Sequence, residues 1–256
     1  MRFAGLVPAS LVDYPGHVAV TLFTAGCPLR CPYCHNPELV VGPLSGRPLP
    51  ADDVLAFLQR RRPLLSHLCV TGGEPTLHRD LPEFLAAVRH LGYAIKLDTN
   101  GGSPDALVGL LRAGLCDYVA MDVKTVWDRY PELGGAVDPA AHRRSALAIR
   151  ALAPDYEFRT TVVPGLVGHD DVRTIAADLA GARRYALQQF DPARPLLDPN
   201  WKAVRPVPAA VLRAWADEVA PYFVEPVIVR NLGVAAEEPQ ALGPESGGGG
   251  TGERGA

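Results

Sequence analysis

Apolar residues recur along this chain in two rhythms. Short runs rich in Val, Ile, Leu, Phe, Tyr and Thr occupy 18–24, 67–71, 93–98, 117–122, 157–163 and 185–190, with the length and composition of buried β-strands. Between and after them the spacing changes to that of helices. Asp80 and Glu83 have capping-box spacing ahead of Phe84, Leu85, Val88 and Leu91, while Ser103-Pro104 and Asp138-Pro139 read as an N-cap followed by proline in the first turn. Val172, Ile175 and Leu179 form a stripe closed by Gly181, and Leu212, Trp215 and Val219 form the last one.

Six strand and helix alternations predict an α/β fold, with a parallel sheet and helices outside it, because parallel neighbours need right-handed crossovers. Six units fall short of a closed eight-stranded barrel, so the expected architecture is a partial (βα)6 barrel, chosen over a flat doubly wound sheet. In both, chemistry belongs at the C-terminal ends of the strands. A late edge strand is expected at 223–229, although Pro226 interrupts it. The barrel domain is assigned to residues 1–234. Residues 235–256, rich in Glu, Pro, Ser and Gly, are expected to form a disordered tail.

Length and charge narrow the reading. The 256 residues suffice for one sizeable core, and the formal net charge of −3 with both signs mixed offers no basic stripe for nucleic acid. The opening residues lack a sustained apolar region, and no run approaches the roughly 18 apolar residues of a membrane span. A cytoplasmic location is therefore expected. Of five cysteines, three crowd into eight residues and two stand alone at Cys69 and Cys116, a poor disulfide framework that points to metal or redox chemistry.

Cys27-Pro28-Leu29-Arg30-Cys31-Pro32-Tyr33-Cys34 follows the first predicted strand in a loop broken by glycine and proline. The C-x-x-x-C-x-x-C spacing turns three thiolates toward one centre and leaves its fourth position open, as a catalytic metal site requires. The competing reading is a structural zinc site completed by His35, Cys69 or Cys116, a zinc-binding adaptor without catalysis. Adjacent Cys34 and His35 suit one tetrahedral ion poorly, since neighbouring side chains diverge in extended chain.

The chain resembles the radical S-adenosylmethionine superfamily, and within it the activating enzymes of glycyl radical enzymes. The specific resemblance is to the anaerobic ribonucleoside-triphosphate reductase activating proteins, through Ser10-Leu11-Val12-Asp13-Tyr14-Pro15-Gly16, Phe23-Thr24-Ala25-Gly26-Cys27 and Cys31-Pro32-Tyr33-Cys34-His35-Asn36-Pro37-Glu38. The resemblance implies that Cys27, Cys31 and Cys34 bind a four-iron four-sulfur cluster whose open iron chelates S-adenosylmethionine. It also implies a radical oxidoreductase acting on a glycyl radical enzyme partner, with a flavodoxin or ferredoxin as electron donor. A radical enzyme acting on a small molecule is the rival within the same chemistry.

Further cofactor contacts are expected from residues at strand ends. Thr71-Gly72-Gly73-Glu74-Pro75 supplies two glycines for close backbone approach and a carboxylate that can accept from an ammonium group. By resemblance Gly72, Gly73 and Glu74 face the methionine amino group, and Tyr33 and His35 face the cofactor from the cysteine loop. Asp98, Asn100, Asp122 and Lys124 end the third and fourth strands and are expected in the site, where some relatives hold a monovalent cation. Arg159 matches a family segment and is expected to meet a carboxylate, the alternative being a solvated arginine. Phe190 stands where relatives carry a cofactor-contacting histidine, so that contact is not transferred. Cys69 and Cys116 are expected to behave as small buried hydrophobes, and the histidines other than His35 to be structural or exposed.

Overall fold

The computed structural model describes residues 1–44 and 46–232. Its elements run β1 (Arg2–Phe3), β2 (Gly5–Tyr14), β3 (His17–Thr24), α1 (Pro37–Val41), β4 (Leu49–Pro50), α2 (Ala51–Arg61), β5 (His67–Gly72), α3 (Leu81–His90) and β6 (Ala94–Thr99). They continue with α4 (Pro104–Arg112), β7 (Tyr118–Asp122), α5 (Pro139–Leu152), β8 (Tyr156–Val162), α6 (His169–Asp178), β9 (Tyr185–Gln189), α7 (Ala209–Val219) and β10 (Ile228–Arg230). Eight strands form one sheet in the order β10-β9-β8-β7-β6-β5-β3-β2. All neighbours are parallel except β2 and β3. The six expected strands are the consecutive parallel set from β3 to β9, curled into a half-barrel.

Alternation along these strands separates two environments. Leu22, Leu68, Val70, Ile95, Leu97, Val119, Met121, Phe158 and Leu187 point outward and pack with Leu58, Leu85, Val88, Leu107, Leu111, Ile149, Ile175 and Leu212 of the helices. Their neighbours Thr21, Lys96, Asp98, Asp122, Glu157 and Arg159 occupy the inner face. The core therefore sits between sheet and helices, while the inside of the half-barrel is polar. A water-poor polar interior persists only where each group has a partner, and Thr21 Oγ1 accordingly donates to Asp13 Oδ2 at 2.7 Å.

Several local expectations change. β2 was not expected; it adds antiparallel to β3 and carries exposed Leu11 and Val12, so its pattern lacks the apolar face of a buried strand. The late strand contains only Ile228–Arg230, parallel to β9, and Pro226 lies before it. Asp80 stands at the N-cap of α3 but makes no capping hydrogen bond. Its carboxylate pairs instead with the Met1 ammonium at 2.5 Å. Asp138 does cap α5, accepting from Ala140 N–H at 3.0 Å. Cys69 and Cys116 are buried free thiols. His17 and His67 stack at 3.8 Å beside Tyr14 at the N-terminal ends of the strands. Among the described residues no helix is long and apolar enough to cross a membrane. The tail expected at 235–256 lies outside the described residues.

This layering yields a contrast between two leucines. Leu22→Ala removes a fully buried side chain from the interface of sheet and helices and is expected to cost about 3 kcal/mol. Leu11→Ala, at 80% exposure, is expected to shift stability by less than about 0.5 kcal/mol. Denaturant unfolding of both variants checks this, and equal losses would contradict the assignment of the core.

Candidate active site

The cysteine segment leaves β3 and is anchored by backbone hydrogen bonds from several directions. Gly26 N–H donates to Leu39 O at 2.7 Å, Arg30 N–H to Gly134 O at 3.1 Å and Ala136 N–H to Pro28 O at 2.9 Å. Asp198 N–H donates to Pro32 O at 2.9 Å, and Cys34 N–H closes a turn onto Cys31 O at 3.0 Å. Paired backbone holds an irregular loop in one shape. Cys27, Cys31 and Cys34, all free thiols, thereby line one cavity of about 260 Å³ at the C-terminal rim of the half-barrel.

Glycines 72 and 73 make the joint between β5 and this segment. Gly73 N–H donates to Thr24 O at 2.9 Å and Glu74 N–H to Gly26 O at 2.7 Å. A Cβ on Gly73 would overlap the Gly26 carbonyl oxygen, and one on Gly72, whose φ is +116°, would lie 2.5 Å from Thr24 N. Both glycines also border the cavity. Close approach is thus required first by the protein's own chain, one residue before Cys27.

Glu74 departs from its expected role. Its side chain is fully buried and lies off the cavity wall. Oε1 accepts from Thr76 N–H at 3.1 Å, Thr76 Oγ1 at 2.6 Å and Thr99 Oγ1 at 2.8 Å, while Oε2 accepts from Asn100 N–H at 2.6 Å. Burial pushes its carboxyl up, and these four donors oppose that shift. The carboxylate is therefore a bracket fixing the end of β6. Asn100 in turn reaches the cavity, with Nδ2 3.6 Å from Cys27 Sγ.

The other strand ends bring charges together. Arg159 Nε donates to Asp122 Oδ1 at 2.8 Å and its Nη1 to Asp98 Oδ2 at 3.3 Å. Lys124 Nζ bonds Asp122 Oδ2 at 3.0 Å, and buried Lys96 pairs with Asp98. Burial raises the two carboxyls, but Arg159 with Lys96 or Lys124 outweighs it and holds Asp98 and Asp122 below the usual carboxylate range. Burial lowers Lys124, yet Asp122 and the neighbouring Tyr33 and Cys31 keep it well above its ordinary value. The solvated reading of Arg159 is thereby overturned. Asp98, Asp122, Lys124 and Arg159 all line the cavity.

From the cysteine loop, Tyr33 and His35 also line it. The Tyr33 hydroxyl is buried and, among the described residues, has no hydrogen-bond partner. His35 Nε2 lies 3.0 Å from Asp191 O, and its ring stacks on Phe190 at 6.0 Å. Burial lowers its pKa below the usual histidine value. His35 thus braces the loop. Burial pushes the Cys31 thiol up to about 12 and raises Cys27, a preference that direct metal ligation reverses. Among the described residues no three His, Cys, Asp or Glu side chains close on a single ion. A cluster that gives each thiolate its own iron accommodates three thiols around one cavity, and the unpartnered Tyr33 hydroxyl and the polar floor suit a polar organic ligand beside it.

A family model described as the radical SAM superfamily matches residues 21–177, more than half of the chain. The chain belongs to the radical SAM superfamily. Its cofactors are a four-iron four-sulfur cluster and S-adenosylmethionine. A curated protein of Methanocaldococcus jannaschii, provisionally named a glycyl-radical enzyme activating enzyme, is 29% identical over 238 residues, covering 90% of this chain and 95% of its own. The pyruvate formate-lyase-activating enzyme of Clostridium pasteurianum is 33% identical over 135 residues, 50% of this chain and 54% of that protein. Among solved structures, SuiB of Streptococcus suis bound to its precursor peptide SuiA matches with a TM-score of 0.64 at 15% identity, over 82% of this chain and 48% of that one. The chain spans about half the length of SuiB, and that likeness shows the fold alone.

Lys96 and Glu157 were not foreseen as part of the site's support, although each is a charge within an otherwise apolar run, which is the signal a partnered interior leaves. Nothing in the local pattern marks Gln188 or Arg194, which also line the cavity.

Two outcomes follow from this geometry. Gly73→Val should reduce iron and sulfide content at least several-fold, because the new Cβ displaces Gly26 beside Cys27. Anaerobic reconstitution followed by metal analysis checks it; full cluster content with weakened cofactor binding alone would contradict the joint. The second concerns acid. Asp122 has a lowered folded pKa, so its stabilisation is fully present above the unfolded value of about 3.9 and is lost as pH falls through the folded value. Melting curves of the parent and Asp122→Asn should differ near neutrality and converge below about pH 4. A difference that grows on acidification would refute the sign.

Proposed function

We propose that this protein activates a glycyl radical enzyme, with anaerobic ribonucleoside-triphosphate reductase as the partner and a flavodoxin or ferredoxin as the electron donor. The observation that supports activation is extent: similarity to the Methanocaldococcus jannaschii protein runs through nearly all of both chains. The preference for the reductase rests on Asp13-Tyr14-Pro15-Gly16 together with the cysteine segment. Those residues lie at the β2 to β3 turn, where Asp13 accepts from Thr21.

In this reading Cys27, Cys31 and Cys34 hold the cluster and leave one iron free of protein ligands. When bound and reduced, the cluster supplies the electron that cleaves S-adenosylmethionine to methionine and a 5'-deoxyadenosyl radical. Every other contribution comes from the chain. Arg159 and Lys124 present fixed positive charge to the methionine carboxylate, and because Asp98 and Asp122 already orient them, little reorganisation is needed on binding. Gly72 and Gly73 let the cofactor approach backbone, Asn100 stands beside Cys27, and Tyr33 offers its free hydroxyl. Leu29 and Val40 on the cavity wall help to keep water from the reacting carbon. Among the described residues the sheet ends at β2 on one side and β10 on the other, and in this reading a partner's glycine segment reaches the cavity between those edges. Hydrogen abstraction demands that contact be close and oriented.

The test incubates reduced, cluster-loaded protein with S-adenosylmethionine and each candidate partner, and reads the glycyl radical by electron paramagnetic resonance. A signal with the reductase, lost in Cys31→Ala and kept in Cys69→Ala, is expected. A signal only with another glycyl radical enzyme would redirect the partner, and cofactor-dependent conversion of a small molecule alone would sink activation.

A further inference from the structure

The inner face of the half-barrel carries a charged pair outside the cavity, Glu157 with Arg230. Glu157, on β8, is almost fully buried, and Arg230, on the short last strand β10, donates to both of its oxygens at 2.9 and 2.6 Å. The pair touches the site through one residue: Arg159 Nη1 stands 4.0 Å from Glu157 Oε1 and uses that same nitrogen to hold Asp98. Arg159 is thus shared among three carboxylates, two at the cavity and one behind it. Arg230 is not among the residues that line the cavity.

We infer that Arg230 is a positioning residue for the site, engaging Glu157 so that Arg159 stays on Asp98 and Asp122 with its charge toward the cavity. The inference rests on the cofactor reading above, since it concerns affinity for S-adenosylmethionine. A buried carboxylate deprived of its cation recruits the nearest one available. Without Arg230 that cation is Arg159, which needs only a small rotation to close the 4.0 Å gap. The rotation loosens its bonds to Asp98 and Asp122 and withdraws positive charge from where the methionine carboxylate binds. β10 therefore acts on the site through charge as well as through the hydrogen bonds that place it beside β9, where Arg230 is in register with Gln188 of the cavity wall.

The experiment measures anaerobic binding of S-adenosylmethionine to cluster-loaded parent, Arg230→Ala, Arg230→Lys and the double variant Arg230→Ala/Glu157→Gln, alongside crystal structures of the same proteins without cofactor. Arg230→Ala should weaken binding on the order of tenfold, as loss of supporting partners behind ligating groups generally does. Arg230→Lys should recover part of that loss. The double variant should recover most of it, because no buried carboxylate remains to draw Arg159 away. In cofactor-free Arg230→Ala crystals, Arg159 should be turned from Asp122 onto Glu157. Parent affinity in Arg230→Ala, or a double variant as weak as the single one, would overturn the inference, the latter by tracing the loss to disruption of β10. A parent that binds no S-adenosylmethionine would fail the cofactor reading instead, and the position of Arg159 in the crystals would still decide the inference. Where Arg230→Ala does not fold, Arg230→Gln takes its place in each arm.

Discussion

A guanidinium taken out of water must be surrounded by carboxylates, and carboxylates taken out of water must be met by cations. Arg159 is where these two demands meet in this protein. It bridges Asp98 on β6 and Asp122 on β7 from its own place on β8, so three neighbouring strands are tied through one planar group. Lys96 and Lys124 complete the neutralisation at either side. Because each charge has a partner, the half-barrel can keep a polar interior in which fixed charge faces the cavity. The C-terminal rim depends on that arrangement, since each of these charges is held in place by another.

The cysteine segment depends on a different constraint, the thickness of a backbone. Gly72 and Gly73 let the end of β5 lie against Thr24 and Gly26 with no side chain between them. Glu74, the next residue, turns inward and fixes Asn100 at the end of β6. Three consecutive residues thus lock three strand ends together, and the thiols are presented from a loop whose geometry is set by strands it does not belong to. The three-residue motif is accordingly a structural joint, whose two glycines also border the cavity. Clustered charge and close glycine packing do complementary things here: the first supplies an oriented field, the second places the three thiols within it.

Much of this was legible in the amino-acid order, for physical reasons that differ by element. β3, β5, β6, β7, β8 and β9 carry outward apolar residues every second position, and that periodicity survives any tertiary context. The spacing of Cys27, Cys31 and Cys34 pointed to one shared centre, and the three do line one cavity, whereas the cluster was implied by resemblance. β2 escaped because it is an edge strand with Leu11 and Val12 in solvent, and amphipathic alternation is weak there. Asp80 was misassigned because a chain terminus, far in sequence, offered its carboxylate a full positive charge in place of a backbone N–H. Glu74 was placed correctly in the chain and wrongly in space, since no local pattern says whether a strand-end carboxylate turns toward a cavity or into the sheet. Lys96 and Glu157 show the same limit from the other side. A charge within an apolar run declares that a partner exists, but the partner stands on another strand.

That last limit bears on how such a site can vary. The residues that touch the cavity are set at strand ends, whereas those that decide the charge they present lie one layer deeper and on strands as distant as β10. Because the strands are parallel and in register, residues two apart on one strand stack along the inner face, as Glu157 and Arg159 do, and Arg159 aligns with Asp122 across β7. A substitution deep in the half-barrel therefore reaches the rim by repartnering a side chain, without moving a backbone atom of the cysteine loop. The glycine joint transmits nothing of this kind, because a rigid contact either fits or breaks. Affinity for a charged ligand can consequently drift through the inner charges while the three thiols remain where close packing holds them.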